Sequence, residues 1–505
     1  MQDSAQVANQ PALRTLDGLL FSQISPSARR NFYLGLAAVV AAICVWIALH
    51  QPTITFPVDD AYITLHNAKV LRSGLDSNYP GSPALAGATS TIHLALVAGL
   101  MTVLPAVTAS FVVGAIALLF YTLGLARLAF HLGGSRLLAF LTVIMGTLSG
   151  YEPYHLLNGL ETGLAMAAGT WVLIFALSQT PSWRLALLCG LLPFIRPEFF
   201  VLSILLMGRQ SWLRWQHRPV LSPLLLDGII LMLSALPWLL WIHWDTGQFI
   251  PATISAKAAY FAEGGLPAAV KLINMLSAIN IMTVVTALLG FLLIPRTALT
   301  VISFAFFIAF MTAYYLQLPG GLHHNYFRYL QILAPFSLFA LISNARHRSI
   351  TQYLIPLATL LVVWTLPVAW STYVNGNANT QYKLAAVAVW ANSNLPDDAR
   401  ILIHDTGYLA YATRFELVDV VGLKTPASVE FHERLTEPSL GKNRAEAINQ
   451  IASHFRPTYA IILNDDGKFW GKIAFALEGH GWKLQLLRPA PNIGDYAVYR
   501  LAAPS

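Results

Sequence analysis

Long runs of apolar residues, separated by short polar connections, dominate residues 32–370. A run of about 18 or more apolar residues is typical of a membrane-spanning helix. Such runs, together with a few shorter ones, lie near residues 32–50, 108–130, 137–150, 161–178, 222–243, 269–294, 298–318, 327–344 and 350–370. The pattern predicts a polytopic α-helical membrane protein.

Two further apolar stretches each have two interpretations. Residues 91–106 form either a span or a helix at the outer interface, and residues 184–208 form either one span or two short helices that meet at Arg196-Pro197-Glu198. Short cytoplasmic loops of membrane proteins collect Lys and Arg. We prefer the interfacial helix and the broken pair, because every basic cluster then falls on one side. This arrangement gives about 11 crossings, with the N-terminus inside and the C-terminus outside.

The character of the sequence changes near residue 371. Residues 372–379 are typical of a turn-rich linker, and strands are predicted near 400–405, 416–421, 459–463 and 496–501. We therefore predict a small extracytoplasmic α/β domain after the membrane region. The predicted division is a cytoplasmic N-terminal arm (1–31), a transmembrane domain (32–370) whose first outer loop carries juxtamembrane helices (51–107), and the C-terminal domain (371–505).

Composition agrees with this organisation. Only 11% of the 505 residues are charged, against about 25% in soluble domains. The net charge of +7 comes from basic clusters between apolar runs. Such clusters indicate the orientation of a membrane protein among its lipids. They do not indicate a nucleic-acid partner. Cys44 and Cys189 both lie inside apolar runs and give no disulfide framework.

The polar segment from Phe56 to Arg72 opens with two adjacent carboxylates, Asp59 and Asp60. Asp59 is predicted to cap a helix from Asp60 to about Ser73, with Gly74 at its C-terminal cap. At helical spacing Asp59 shares a face with Tyr62, His66 and Lys69. Asp59 is then either a cap on an exposed amphipathic helix or a carboxylate available as a general base or metal ligand.

Further ionisable residues fall where the spans end. A guanidinium at membrane depth is costly, so Arg196 either pairs with Glu198 or binds an anionic head group such as a lipid phosphate. Lys257 and Arg328 are further candidates for an anion site, or they are interfacial anchors. Glu161 opens a helix just after Asn158, where it either complements the helix dipole or binds sugar hydroxyls.

Other kinds of site find less support in the sequence. His323 and His324 have no third ligand nearby, so a zinc site is not expected. Whether a divalent cation assists Asp59 and Asp60 is left open. There is no Walker A loop and no dinucleotide fingerprint after a strand. An enzyme on the outer face of the membrane would then use a lipid-linked donor.

Several motifs, in order along the chain, resemble a known family. These are Asp-Asp-Ala-Tyr-Ile at 59–63, Asn-Gly-Leu-Glu-Thr at 158–162, the Arg-Pro-Glu break at 196–198, Pro-Ala-Thr-Ile-Ser-Ala-Lys at 251–257, Phe-Arg-Tyr-Leu at 327–330 with Pro335, Asp-Thr-Gly-Tyr-Leu-Ala-Tyr at 405–411 and Val-Asp-Val-Val-Gly-Leu at 418–423. The chain thus resembles GT-C membrane glycosyltransferases similar to the actinobacterial terminal arabinofuranosyltransferase.

The resemblance implies inverting transfer of a sugar from a polyprenyl-phosphate donor to an envelope glycan, lipid or protein on the outer face. Asp59 or Asp60 would be the base, and Asp59 is slightly preferred on the resemblance. Arg196, Lys257 and Arg328 would hold the donor phosphate. Glu161 and Glu198 would shape the sugar pocket, with Asn158, Tyr62 and His324 as further candidate sugar or acceptor contacts.

The chain departs from the family at two positions. His66 stands where the family often has Arg, so a donor-phosphate contact there would be made by imidazole, and Thr91 stands where the family often has Pro. The resemblance also implies a multi-pass protein of the bacterial inner membrane, with its C-terminal domain periplasmic or extracellular. The alternatives are a transporter or flippase of lipid-linked sugars and a non-catalytic envelope assembly protein.

Overall fold

The computed structural model describes residues 16–50, 55–217 and 221–504. Residues 1–15 of the predicted N-terminal arm and residues 51–54 of the predicted first outer loop lie outside this part of the chain. The described part is mainly helical up to residue 394 and then folds into a small mixed domain.

The helices of the membrane region form two groups along the chain. The first group is α1 (Leu16–Leu20), α2 (Pro26–His50), α3 (Asp60–Ser73), α4 (Thr91–Leu100), α5 (Ala106–His131), α6 (Arg136–Leu148), α7 (Glu152–Leu156), α8 (Thr162–Ala176), α9 (Trp183–Ile195), α10 (Phe199–His217) and α11 (Leu221–Thr246). The second group is α12 (Thr253–Phe261), α13 (Ala268–Ser277), α14 (Ile281–Thr283), α15 (Ala298–Gln317), α16 (His324–Gln331), α17 (Ala334–Ala345), α18 (Ser349–Gln352) and α19 (Leu354–Asn379).

Five helices of the described part are long and apolar enough to cross a membrane, and two further pairs would each make one bent span. The bent pairs are Ala268–Ser277 with Ile281–Leu292, at 70°, and Pro319–Gln331 with Ala334–Ala345, at 53°. The prediction of a multi-pass membrane protein is thereby confirmed. Helix α4 has only 10 residues, or about 15 Å of length, so it is too short to cross a hydrocarbon core of about 30 Å.

The predicted break at Arg196 is confirmed. Helix α9 ends at Ile195 and α10 begins at Phe199. Arg196 between them is extended, with φ −149° and ψ 127°, because a residue before proline is disfavoured in the helical region. The break directs the Arg196 side chain into the protein, where it is 2% exposed.

The prediction of a turn-rich linker at 372–379 is wrong, because α19 continues to Asn379 and the chain stays helical to Asn394. Tertiary packing overrides the local propensity. A Cβ at Gly376 would lie 2.6 Å from the Pro57 side chain, so a residue that reads as a turn former is used here for close packing. The side chain of Asn377 accepts a hydrogen bond from Thr55 at 3.0 Å.

The C-terminal domain contains a five-stranded sheet of order β2-β1-β3-β5-β4. Its strands are β1 (Arg400–Ile403), β2 (Glu416–Asp419), β3 (Tyr459–Leu463), β4 (Lys483–Arg488) and β5 (Tyr496–Ala502). Its helices are α20 (Ala385–Asn394), α21 (Tyr408–Ala412), α22 (Ala427–Phe431), α23 (Arg444–Phe455) and α24 (Lys472–Gly479). Strands β2, β1 and β3 are parallel, while β5 is antiparallel to both β3 and β4.

Four of these strands were predicted, and β4 was missed. Strand β4 lies at the sheet edge with most of its side chains exposed, and its sequence Lys-Leu-Gln-Leu-Leu-Arg lacks the β-branched residues that mark a buried strand. The domain lies against the first outer loop and α12, so it covers the end of the helical region where the predicted site residues lie.

Candidate functional site

The carboxylate of Asp59 does not cap α3. Asp59 has helical backbone angles and makes no side-chain cap bond. Instead it accepts hydrogen bonds from the backbone N–H groups of Gly407 at 2.8 Å and Tyr408 at 2.7 Å, at the start of α21. The first N–H groups of a helix have no partner inside it, so a carboxylate from another segment can bind them. The capping prediction for Asp59 is wrong, whereas Gly74 does end α3, with φ 72°.

Asp60 points to the opposite side, into a cluster of donors. Its Oδ2 atom lies 3.0 Å from Nδ2 of Asn325, 3.4 Å from Nη1 of Arg328 and 3.9 Å from Nζ of Lys257. Burial alone would raise the pKa of Asp60, but Lys257, His324 and Arg328 outweigh it and hold that pKa below its usual range. The Asp60 carboxylate is therefore kept ionised.

The pKa of Asp59 is shifted the other way. Burial, followed by the nearby negative charge of Asp405, raises the pKa of Asp59 well above its usual value, against the effect of the two backbone N–H donors. The two neighbouring carboxylates therefore have different surroundings. Asp59 holds the interface with the C-terminal domain, and Asp60 faces the cation cluster.

Two buried arginines extend this cluster. The guanidinium of Arg196 contacts Glu161 through Nη1 and holds Glu198 through Nε at 3.1 Å and Nη2 at 2.5 Å. Nη2 of Arg328 lies 3.9 Å from the Glu161 carboxylate. Buried charges of one sign require partners of the other. Glu161 and Glu198 therefore supply charge balance for the two arginines.

Sequence reasoning did not single out Tyr329, which joins these groups. Its hydroxyl accepts hydrogen bonds from Nζ of Lys257 at 3.3 Å and Nη2 of Arg328 at 3.4 Å. Its ring centroid is 5.0 Å from the Cζ atoms of both Arg196 and Arg328, a cation–π distance. The position of Tyr329 directly after Arg328 could have indicated its role. An aromatic residue in an apolar run is, however, usually interpreted as a packing residue.

The backbone before Arg328 has an unusual conformation that also could not be predicted. Asn325, Tyr326 and Phe327 have φ values of 46°, 57° and 61°, a region that residues other than glycine rarely adopt. The conformation directs the Asn325 amide to Asp60 and the Tyr326 carbonyl to Nε2 of His155, at 2.9 Å. Left-handed residues of this kind cost about 1–3 kcal/mol each and cluster at functional sites.

Two cavities meet at the cluster. A small polar cavity of about 30 Å³ is lined by Asp60, Glu161, Lys257 and Arg328 among others. A larger groove of about 290 Å³ has Arg196, Glu198 and Lys257 near apolar side chains such as Phe310 and Leu318. Thr89, Thr253 and Lys257 line both cavities. The arrangement suits a ligand with an anionic head and an apolar tail.

The structure brings together Asp60, Arg196, Lys257, Arg328, Glu161 and Glu198, with His324 at the edge. The His324 ring stacks at 6.0 Å from Tyr329, and its Nδ1 is buried without a hydrogen-bond partner among the described residues.

Besides Asp59, three of the predicted residues lie elsewhere. Tyr62 packs against the rings of Tyr408 and Tyr411, and Asn158 makes a local turn by accepting from Leu160 N–H at 3.1 Å. His66 is paired with Asp76 at 3.4 Å, and the buried ammonium of Lys424 also lies 3.4 Å from Asp76. The shared helical face of α3 thus packs on the C-terminal domain, and the structure does not bring His66 to the phosphate-binding candidates.

A metal site finds no support in the geometry. Within residues 16–50, 55–217 and 221–504, no group of three or more His, Cys, Asp or Glu residues could hold a metal ion. Asp59 and Asp60 diverge, because one binds backbone N–H groups and the other faces cations.

The described residues form a multi-pass helical membrane protein with a small mixed domain beside the charged cluster. The chain resembles the crystal structure of ArnT from Cupriavidus metallidurans bound to undecaprenyl phosphate, with a TM-score of 0.50, 11% identity and coverage of 94% of this chain and 98% of that one. The apo state of the same protein gives a TM-score of 0.48 at 12% identity, covering 92% and 97% of the two chains. The GT-C fold implied by the sequence motifs is confirmed.

Other comparisons add less. The cryo-EM structure of arabinofuranosyltransferase AftD from Mycobacteria has a TM-score of 0.42 at 16% identity, covering 95% of this chain and 42% of that one. A family model described as a domain of unknown function, DUF8728, matches residues 372–499. No curated protein matches the sequence.

Proposed function

We propose that this protein is an inverting glycosyltransferase that moves a sugar from a polyprenyl-phosphate donor to an envelope glycan, lipid or protein. The observation that carries the proposal is the position of Asp60. Its carboxylate lies 3.4 Å from Arg328 and 3.9 Å from Lys257, in the polar cavity that adjoins the mostly apolar groove. A base and an anion site are thus adjacent, as displacement of a lipid phosphate requires.

The donor phosphate would bind to Arg196, Lys257 and Arg328. Among the described residues, three of the five N–H donors of Arg196 go to Glu161 and Glu198, which leaves two for a ligand. The Nε atom of Arg328 is buried with no hydrogen-bond partner in the described part of the chain. A phosphate oxygen would satisfy that donor and gain a charge-assisted hydrogen bond.

The apolar groove would hold the first part of the polyprenyl chain. Its volume of about 290 Å³ and its lining by Phe200, Val201, Phe310 and Leu318 suit a branched hydrocarbon. The fold supports this occupant, since the ArnT structure with the same fold was obtained with undecaprenyl phosphate.

The proposed reaction is a single displacement. An acceptor hydroxyl attacks the anomeric carbon of the donor sugar, and Asp60 takes its proton as the new C–O bond forms. The bond from the anomeric carbon to the phosphate oxygen breaks, and polyprenyl phosphate leaves with that electron pair. Arg196, Arg328 and Lys257 stabilise the leaving phosphate, which is where negative charge develops.

Charge balance links donor binding to the base. Without a ligand, Lys257 and Arg328 both face Asp60 and lower its pKa, together with His324 and against the effect of burial. A phosphate draws the same two cations toward itself and so weakens their hold on the carboxylate. The pKa of Asp60 then rises, which makes it a better proton acceptor when the donor is in place.

We also propose the topology that the basic clusters favour, with about 11 crossings, a cytoplasmic N-terminus and a periplasmic or extracellular C-terminal domain. The site would then lie at the outer face of a bacterial inner membrane. The transporter alternative is less well supported, because a translocation path needs polar groups through the whole depth of the membrane. Here the cluster lies beside the C-terminal domain.

The proposal is tested by incubating the purified protein, in bilayers, with radiolabelled polyprenyl-phosphate sugars and an envelope extract. We expect sugar to be transferred to an acceptor, with release of polyprenyl phosphate. Movement of intact lipid between leaflets without transfer would instead identify a transporter. If neither sugar transfer nor lipid movement is observed, the result would identify a non-catalytic assembly protein.

Replacing Tyr329 by phenylalanine should lower kcat/KM for the donor about tenfold. The change removes the hydroxyl that accepts from Lys257 and Arg328, and a hydrogen bond to a charged group contributes about 1.5–3 kcal/mol. Donor-dependent initial rates measure the effect. The matched control is Tyr353→Phe, whose side chain is 64% exposed. Equal donor-dependent rates in Tyr329→Phe and Tyr353→Phe would show that the Tyr329 hydroxyl is not part of the donor site.

A further inference from the structure

Helix α12 belongs to two parts of the molecule at once. One face, with Ala256, Ala259 and Tyr260, is buried in the hydrophobic core of the C-terminal domain. The other face carries Lys257, which lines both ligand cavities and reaches Asp60 and the Tyr329 hydroxyl. The position of the Lys257 ammonium is therefore tied to the packing of the C-terminal domain.

The end of α12 is held by a charged group of that domain. Ala262 ends the helix in the left-handed conformation, with φ 56°. The guanidinium of Arg444, at the start of α23, donates to the carbonyl oxygens of Tyr260 at 3.0 Å and Phe261 at 3.2 Å. The last carbonyls of a helix lack partners within it and carry partial negative charge. Arg444 therefore caps α12 from outside the membrane region.

Aromatic contacts with the C-terminal domain hold the same helix end. The Tyr260 ring stacks on Trp470 at 5.7 Å and meets the edge of His432 at 4.9 Å. The Phe261 ring stacks on Phe469 at 5.8 Å. These contacts leave α12 little freedom to shift along or about its axis, so the helix follows the C-terminal domain.

We propose that Arg444 is a positioning residue for Lys257, through which the C-terminal domain sets the donor-phosphate site. The domain thus fixes one of the charged groups of the proposed donor site. The inference rests on the proposed function, because it assigns Lys257 to the donor phosphate. It gives a specific task to the region that matches a domain of unknown function.

The test is a double-mutant cycle on binding of a polyprenyl phosphate that carries no sugar. The full-length protein in bilayers is compared as wild type, Arg444→Ala, Lys257→Ala and the double variant. We expect Arg444→Ala and Lys257→Ala each to weaken binding about tenfold. We expect the double variant to bind no more weakly than Lys257→Ala, because Arg444 acts only through the lysine.

Two further variants keep the test decisive. Arg434→Ala is the matched control, since Arg434 lies in the same domain and donates to Gln450 at 2.6 Å, within that domain; its binding should stay within about twofold of wild type. Arg444→Lys keeps the charge and one hydrogen bond, so it should fall between wild type and Arg444→Ala. It also reports on Arg444 if the alanine variant fails to fold.

The outcomes separate this inference from the proposed function. The inference is overturned if Arg444→Ala binds polyprenyl phosphate as tightly as the wild type does. It is also overturned if the double variant loses the product of the two single-variant losses in affinity. In both cases the proposed function still stands. Unchanged binding by Lys257→Ala overturns the assignment of that lysine and, with it, the inference. No binding of polyprenyl phosphate by the wild-type protein overturns both.

Discussion

Replacing Asp60 by asparagine should lower sugar transfer about 10³-fold, the usual scale for loss of a general base. Asparagine keeps the shape and still accepts from Asn325, but it takes up no proton. The protein should stay folded, because Arg328 retains Glu161 as a partner and the Asp60 side chain is 22% exposed. Initial rates of transfer, with thermal unfolding measured alongside, test this result.

The neighbouring carboxylate provides the control. Asp59→Asn leaves one oxygen for the two N–H donors of Gly407 and Tyr408. We expect loss of about one hydrogen bond, or about 1–2 kcal/mol of domain docking, with transfer reduced far less than by Asp60→Asn. Loss of transfer in Asp59→Asn with full activity in Asp60→Asn would move the base to Asp59.

Replacing Gly407 by alanine should separate the C-terminal domain from the segment that carries Asp60. A Cβ at this position would overlap the carbonyl oxygen of Asp59 and lie 2.8 Å from its carbonyl carbon. Both are backbone atoms, so no flexible side chain can move aside. Overpacking of this kind costs about 1–3 kcal/mol, and we expect transfer to fall at least tenfold because Asp60 follows Asp59 in the chain.

The control for this substitution is Gly479→Ala, at the end of α24. A Cβ there would have no atom within 4 Å, so transfer and stability should remain near wild type. Limited proteolysis of the C-terminal domain measures docking in both variants. If Gly407→Ala is cleaved and transfers sugar like the wild type, the domain is not required to hold the segment that carries Asp60.

Most of the fold could be predicted from the sequence because the strongest signals in the sequence are local. Apolar runs predicted the membrane helices, and Pro197 predicted the break at Arg196, since proline restricts the residue before it. The prediction failed where tertiary packing decides the conformation. Gly376 reads as a turn former, yet it lies inside α19 because Pro57 packs against it. Strand β4 was missed because it is a mostly exposed edge strand without β-branched residues.

The site was predictable as a set of charged residues, and the pair of Arg196 with Glu198 was one of the predicted alternatives, but the partners of Asp60 and Glu161 were not predicted. The sequence indicated Asp60, Arg196, Lys257 and Arg328 because they are charged residues near the ends of spans. Burial of a charged group in a membrane is costly, so such residues usually have a function. The sequence could not separate Asp59 from Asp60. That distinction depends on Gly407, which lies more than 300 residues away in the chain and meets Asp59 only in the fold.

The measurement that tests the central claim most directly is a structure of the protein in bilayers with bound polyprenyl phosphate. We predict phosphate density within about 3.5 Å of donors on Arg196, Lys257 and Arg328, with the hydrocarbon chain beside Phe310 and Leu318. Asp60 should face the phosphate across the space left for the sugar. Phosphate density away from these three cations, or a polyprenyl chain outside the groove, would contradict the account.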